Sequence, residues 1–389
     1  MKLFVTGIGI VSAIGLNVEE NFHSLKLSTT GISRSAGYDL MLGEVNLSND
    51  AIIKKYDLPE EDFSRTSLLG LVAAKEAWGE HKIDTQNRTG LISATTVGGL
   101  DRMEKYYFRA QQDASFNYLP HMTHDNGQTT ERIAKVLGIK GYIGTISTAC
   151  SSGANAILQG ARFIEGGKLD RVIVGGTDPL SLFNIKGFSS LMIYDQNLCK
   201  PFDASRNGLN LGEGAAFLVL ENEYSISITG SNPLCLLSGW NNSTDAFHQT
   251  ASSADGKGAT LAMTKALAKA KIPAQDISYI NAHGTGTENN DLSESVALIN
   301  VFGNHIPPFS STKGFTGHTL GAAGAIEAVF CVLAILSDSV LPNLNFSSPI
   351  KTTRLIPETT FRSCTNVEHV LSNSFGFGGN CTSLIFSKA

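Results

Sequence analysis

Tyr142-Ile143-Gly144-Thr145-Ile146-Ser147-Thr148-Ala149-Cys150-Ser151-Ser152-Gly153-Ala154-Asn155-Ala156 changes character at its cysteine. Tyr142–Ser147 reads as a short strand, and the small and apolar residues that follow, through Ile164, read as a helix. Cys150 therefore falls at a helix N-terminus. Backbone N–H groups there lack intrahelical acceptors and carry partial positive charge, which favours thiolate over thiol. The thiolate is the nucleophilic form, so this position predicts covalent chemistry. The bland alternative is a buried structural cysteine, the usual fate of a free thiol.

Outward from this unit, strand-like and helix-like runs alternate. Further strands are predicted at Leu3–Thr6, Thr89–Ser93, Val172–Gly175, Ala215–Leu220, Ile277–Asn281, Phe309–Ser311 and Ser383–Phe386. Helices are predicted at Val18–Leu27, Ser67–Trp78, Thr129–Leu137, Ala259–Ala270, Asp291–Val301 and Leu320–Ser337. The alternation predicts an α/β fold whose strands are mostly parallel and buried. A length of 389 residues is enough for two domains or two fused halves. Glu221–Pro233, the least patterned stretch, is the expected seam, dividing residues 1–233 with the cysteine from residues 234–389. Each half offers one helix rich in small residues, Ser151–Ala156 and Gly321–Ala325. Small side chains permit close helix–helix approach, so the pair hints at an internal repeat.

Composition excludes several classes. The net charge is -5 and no Lys/Arg cluster stands out, so neither nucleic acid nor a membrane surface is an expected ligand. No apolar run reaches the length of a membrane span; Ala328–Leu336 reads as a buried helix. Lys2 and the apolar residues up to Leu16 could pass for a signal peptide, but Thr6, Gly7, Gly9 and Ser12 interrupt them, and a buried strand is the better reading. The six cysteines form no C-x-x-C pair and none sits near histidine at zinc-finger spacing, so no metal is expected and a reducing, cytoplasmic setting is. Gly7-Ile8-Gly9 lacks the third glycine of a dinucleotide loop, and no P-loop is present.

Three more motifs carry chemistry. Asn281-Ala282-His283-Gly284-Thr285-Gly286-Thr287 follows a predicted strand. Ser310-Ser311-Thr312-Lys313 precedes Gly317-His318-Thr319-Leu320-Gly321, with His318 at a predicted helix start that disfavours its cation. Asn373-Ser374-Phe375-Gly376-Phe377-Gly378-Gly379-Asn380 is a glycine-rich turn with two aromatics. Singly, each histidine could be a satisfied core residue, Lys313 a solvated charge and the phenylalanines core filler. Together with Cys150 they form the inventory for acyl transfer through a thioester.

These motifs, with Lys200-Pro201-Phe202-Asp203, Arg206 and Gly212-Glu213-Gly214, resemble those of β-ketoacyl-acyl carrier protein synthases of the Cys-His-His type, and the resemblance spans nearly the whole chain. It implies a thiolase-like fold, two similar halves in five layers α-β-α-β-α, and a homodimer or a heterodimer with a paralogue. It implies no resident cofactor, the substrates arriving on the phosphopantetheine of acyl carrier protein. Cys150 would take the acyl chain, with the N–H groups of Cys150 and Phe377 as oxyanion hole. His283 and His318 would stabilise the enolate from malonyl decarboxylation, and Lys313 would orient His318. Glu327 matches a buried acid near that lysine, and Asp291 a supporting carboxylate. Thr285, Thr287 and Thr250 match positions that bind the pantetheine arm. Phe377 matches a gate, Phe375 the substrate wall, and Met103 the residue that sets acyl-pocket depth.

Departures are also visible. Asn380-Cys381 replaces the usual Thr-Asn after the glycine turn, and Leu209-Asn210-Leu211 replaces a more aromatic segment. With Gly187-Phe188 to Asp195 these features are similar to synthases of aryl-polyene or flexirubin pigment clusters. Two competing classes are a non-catalytic chain-length partner subunit, which usually loses the cysteine, and a CoA-dependent thiolase, which would show a second cysteine in place of one histidine.

Overall fold

The computed structural model describes residues 1–59, 61–82, 86–117, 125–363 and 366–389; Cys364 lies outside them. The N-terminal segment is a central strand. Phe4–Val11 (β1) lies within a ten-stranded sheet formed with Thr89–Ala94 (β2), Ile143–Ile146 (β3), Arg171–Asp178 (β4), Gly214–Glu221 (β5), Cys235–Thr244 (β6), Tyr279–Asn281 (β7), Phe309–Ser310 (β8), His369–Gly376 (β9) and Asn380–Ser387 (β10). The strand order is β8-β7-β9-β10-β6-β1-β5-β4-β2-β3.

The order is mirrored about the β1–β6 contact, where Phe4 and Val5 pair with Leu236 and Cys235. Going outward on either side, two antiparallel pairings are followed by two parallel ones. The molecule is thus two similar halves, but its strands are not mostly parallel. Antiparallel neighbours need only short connections, and the link between β9 and β10 is Phe377–Gly379 alone.

The helices that build the layers are Arg65–Trp78 (α1), Leu100–Gln112 (α2), Asn126–Leu137 (α3), Ser152–Glu165 (α4), Leu182–Ser190 (α5), Lys257–Ala270 (α6), Glu288–Phe302 (α7) and Ala323–Leu336 (α8). α1 and α3 cover the outer face of the first half, and α6 and α7 that of the second. Between the halves lie α4 and α8, which touch each other; α8 packs on both β5 and β9. This gives the five layers, with the largest apolar cluster around the central helices.

Small residues make that centre possible. A Cβ on Gly153 of α4 would lie 2.8 Å from the Ala325 nitrogen, and one on Gly324 of α8 would lie 2.8 Å from the Ala154 nitrogen. Gly7-Ile8-Gly9 serves packing too: a Cβ on Gly9 would lie 2.1 Å from the Ala73 carbonyl of α1. Among the described residues no helix is long and apolar enough to cross a membrane, and Ala328–Leu336 is part of α8.

Candidate active site

Cys150 stands between β3 and α4 on a tight turn. Ala149, just before it, has φ 53°, a left-handed conformation uncommon for a residue with a Cβ. The Thr148 amide donates to Ser152 Oγ at 2.8 Å and the Ser152 amide to the Ala149 carbonyl at 3.1 Å, which locks the turn. Cys150 is buried. Burial pushes its thiol up to about 11, against the opposing pull of the Lys313 ammonium and the N–H groups of Phe377 and Cys150, with Asp178 adding to the rise. Desolvation therefore outweighs the helix-end field that predicts a thiolate. Iodoacetamide should alkylate Cys150 at a rate that climbs about tenfold per pH unit from pH 7 to 10, following the thiolate fraction. A plateau near pH 7, read by peptide mass spectrometry, would show the field winning instead.

The two histidines arrive from the second half. His283 lies two residues beyond β7, and His318 precedes the 3-10 turn Leu320–Ala322. Their rings approach edge to face with centroids 5.4 Å apart. Burial, then the Lys313 charge, holds both well below the ordinary imidazole range, and the His318 ring adds to the lowering at His283. At His318 burial rather than a helix dipole does most of this. Both are neutral at pH 7, and in both Nδ1 has a donor: the Leu320 amide to His318 at 3.2 Å, and Lys313 Nζ to His283 at 3.2 Å. Each imidazole then carries its proton on Nε2.

Lys313 is buried beside Glu327, to which its ammonium donates, and it donates to the His283 carbonyl at 2.6 Å. Its hydrogen bonds thus go to His283 and Glu327, whereas the family resemblance implies a role toward His318. Nothing in the spacing of Lys313 and His283 reveals this contact, because it arises where β7 and the segment after β8 end side by side. Burial raises the Glu327 carboxyl to about 7, with Lys313 pulling it back.

One cavity is lined by Cys150, His283, His318, Thr250, Thr285 and Thr287, and by Phe375 and Phe377. The Thr285 and Thr287 hydroxyls are 2.9 Å apart, and Thr250 is exposed at the rim. Asp291 holds their loop by accepting from the Phe202 amide at 2.7 Å and the Gly286 amide at 3.1 Å. Phe375 lies against His283, ring centroids 5.7 Å apart, and half-buried Phe377 stacks on Phe188 of α5 at 6.0 Å. Met103 does not reach this wall. It is half-buried on α2, whose Glu104 accepts from the Leu182 and Phe183 amides of α5; α5 itself supplies Phe188 to the cavity.

Two carboxylates, Glu294 and Asp178, escape the sequence reading. Glu294 on α7 accepts from the His283 amide at 2.9 Å and the Gly284 amide at 2.8 Å, and burial raises it to about 7. Asp178 at the end of β4 accepts from Thr95, Thr96 and the Gly321 amide, tying β2 to the segment that follows His318. Asn380 joins the glycine turn to the nucleophile helix. The available signals were a carboxylate on a helix beginning five residues after the histidine, and an aspartate closing the Gly175-Gly176 strand.

The assembled groups are the Cys150 sulfur, two N–H donors facing it from different segments, and two neutral imidazoles with their protons on Nε2, all on a largely apolar cavity. They suit attack on a carbonyl and stabilisation of the resulting oxyanion.

Known proteins agree with this chemistry. Residues 2–225 match the β-ketoacyl synthase N-terminal domain and residues 234–347 its C-terminal domain. The chain is 31% identical to the 3-oxoacyl-[acyl-carrier-protein] synthase 2 of Staphylococcus aureus strain MRSA252, with 100% of this chain and 98% of that protein aligned. It is 30% identical to the protein of the same name from Vibrio harveyi, with the same coverage. Among solved structures, a ketosynthase in complex with its chain length factor from Xenorhabdus doucetiae is 33% identical, with TM-score 0.86 over 100% of this chain and 98% of the other. The ishigamide ketosynthase/chain length factor gives TM-score 0.92 at 27% identity, over 100% and 99%. With its thiolase-like fold and its complete cysteine, histidine and lysine set, the chain belongs to the β-ketoacyl synthase family.

Proposed function

We propose that this chain is a 3-oxoacyl-[acyl-carrier-protein] synthase that extends an acyl chain by decarboxylative Claisen condensation in fatty acid, polyketide or polyene synthesis. The observation that carries this reading is the pair of neutral imidazoles, each with Nδ1 occupied by a donor, on the cavity that holds Cys150.

Cys150 sulfur attacks the thioester carbonyl of an acyl-carrier protein, and the carrier thiol leaves with the proton. Malonyl-carrier protein then loses CO2, and its electron pair becomes an enolate whose oxygen takes hydrogen bonds from the Nε2–H groups of His283 and His318. The enolate carbon attacks the Cys150 thioester, the oxyanion is held by the amides of Cys150 and Phe377, and the thiolate is expelled. The product is a 3-oxoacyl chain two carbons longer. Thr285, Thr287 and Thr250 bind the pantetheine arm, and Phe375 and the movable Phe377 line the chain's path. Residues 1–233 and 234–389 each supply part of the site.

Acyl carrier protein is the partner in both half-reactions. A homodimer, or a heterodimer with a paralogue, acts in the cytoplasm without a resident cofactor. The apolar wall of Phe188, Ile193 and Leu209 suits a hydrocarbon chain, and the resemblance to pigment-cluster synthases is what points to an unsaturated or aryl one. The complete Cys150, His283, Lys313 and His318 set disfavours a non-catalytic partner subunit, and the second histidine disfavours a thiolase.

Incubation with carrier proteins loaded with saturated, polyene or aryl chains, followed by mass spectrometry, should show a thioester on Cys150. Added malonyl-carrier protein should discharge it as a chain longer by two carbons. No acyl mass on Cys150 from any carrier would sink the reading.

A further inference from the structure

The two candidate oxyanion donors belong to different segments, and neither segment sets their separation alone. The Cys150 amide sits at the end of α4. The Phe377 amide sits in the turn between β9 and β10. One contact that holds the turn close is Gly376, where a Cβ would lie 2.8 Å from the Thr148 carbonyl. The other is a cluster of carboxamides. Asn380 Oδ1, three residues past Phe377, accepts from Ser151 Oγ at 2.7 Å, Asn155 Nδ2 at 2.8 Å and Asn242 Nδ2 at 2.7 Å.

Those donors come from three places: the residue next to the nucleophile, the first turn of α4, and β6. The donors are themselves fixed. Asn155 Oδ1 accepts from Thr382 Oγ1 at 2.8 Å and from Asn242 Nδ2 at 3.0 Å, and Asn155 Nδ2 also donates to Thr148 Oγ1 at 2.8 Å. A residue that only ended a turn would not need this convergence on one oxygen. Backbone bonds already hold the turn to its own half, the Gly378 amide donating to the Gln249 carbonyl at 2.7 Å and the Asp245 amide to the Gly379 carbonyl at 2.7 Å, and the Asn380 side chain adds the tie from the turn to the nucleophile helix.

We propose that Asn380, held by Asn155 and Asn242, is the positioning residue that fixes the Phe377 amide relative to the Cys150 amide, and so sets the oxyanion geometry. The proposal rests on the acyl-transfer reading above. Asn380 touches neither sulfur nor substrate; it acts through the turn. Because the shared oxygen is an acceptor from every partner, a carboxylate can replace the amide and keep all three bonds. The added negative charge beside Cys150 would then disfavour its thiolate.

The experiment compares wild type, Asn380→Ala, Asn380→Asp and Asn242→Ala for single-turnover acylation by acyl-carrier protein and for iodoacetamide alkylation across pH. Asn380→Ala should lose about tenfold to a hundredfold in acylation rate at saturating carrier, with carrier affinity changed less than about twofold, in line with a misplaced oxyanion donor. Asn242→Ala, which leaves the turn untouched, should lose less in the same direction. Asn380→Asp should move the alkylation profile to higher pH and, compared with wild type at equal thiolate fraction, recover most of the acylation rate that Asn380→Ala loses. If Asn380→Ala does not fold, Asn242→Ala and Asn380→Asp decide alone. Wild-type acylation with unchanged rates in the variants overturns this inference only. Wild type that takes no acyl chain overturns the acyl-transfer reading and this one with it.

Discussion

Cys150→Ala should abolish chain extension. The cysteine is the sulfur that faces the Phe377 and Cys150 amides on the cavity that also holds both imidazoles, and no neighbouring thiol is placed to take over the covalent step. The four other described cysteines are buried too, and three of them, Cys199, Cys235 and Cys331, lie away from the cavity wall. Cys381 does reach the cavity, but burial pushes its thiol up to about 12, and its Sγ faces the Gly379 carbonyl at 3.6 Å rather than amide donors. Removing a covalent nucleophile from an intact site costs roughly 10⁴-fold or more. Extension assayed with acyl- and malonyl-carrier protein should fall to background. Cys150→Gln tests the other half of the site: a side-chain amide placed beside the oxyanion donors leaves the histidines intact. Release of CO2 from malonyl-carrier protein should persist in it without chain growth. Extension by Cys150→Ala at even a hundredth of the wild-type rate would mean that the acyl chain is carried elsewhere.

The second large effect is expected at Lys313. Its ammonium bonds His283 Nδ1, the His283 carbonyl and Glu327 inside a space closed to water. Lys313→Met keeps the bulk and removes the charge. His283 loses the donor that holds its proton on Nε2, so the decarboxylation rate should fall by about 10²–10³, as for the loss of a transition-state hydrogen bond. Glu327 is left buried without a cation. Breaking a buried pair in this way costs about 3–5 kcal/mol when the remaining group stays charged. The Glu327 carboxyl already stands raised to about 7, and losing the ammonium raises it further. A carboxyl whose folded pKa is raised favours the native state while protonated and loses that benefit as pH rises through the folded value. The variant should therefore melt lower than wild type, with the deficit wider at pH 8 than at pH 6. Equal melting deficits at both pH values, with decarboxylation intact, would place Lys313 outside the machinery.

The sequence showed where chemistry sits more clearly than how it is held. Cys150, His283, His318 and Phe377 were legible because each stands at a strand end or a glycine turn, where local pattern announces exposure to a cleft. The contact of Lys313 with His283 was not legible, because the two residues are 30 apart in sequence and meet only where neighbouring strands end. Two strands of the ten-stranded sheet escaped for a related reason. Cys235–Thr244 and His369–Gly376 carry Asn241, Asn242, Ser243, Asn373 and Ser374, which read as turn residues. In the fold several of those polar side chains find partners inside: Asn373 donates to Glu294 at 3.1 Å, Ser243 to the Gly258 carbonyl at 2.7 Å and Asn242 to Asn380 at 2.7 Å. A period of two in hydrophobicity cannot reveal a strand whose polar side chains are buried with partners. The same blindness made the sheet look parallel, since the antiparallel centre runs through these two strands. The thiol was misjudged for a different reason. A helix end is a local feature visible in the sequence, whereas complete desolvation belongs to the assembled core.

The division of the site between mirrored halves also orders events in time. Ribosomes make the sulfur first and its partners last: Cys150 is followed only much later by His283, Lys313, His318 and, near the end, Phe377 and Asn380. A nascent chain that has emerged as far as β6 can pair its early strands, yet it has no imidazole to steer an enolate and no turn to complete the anion cradle. On the acyl-transfer reading, chemical competence waits until the β9–β10 hairpin closes, and a chain cut before that hairpin should be inert through its strand order alone.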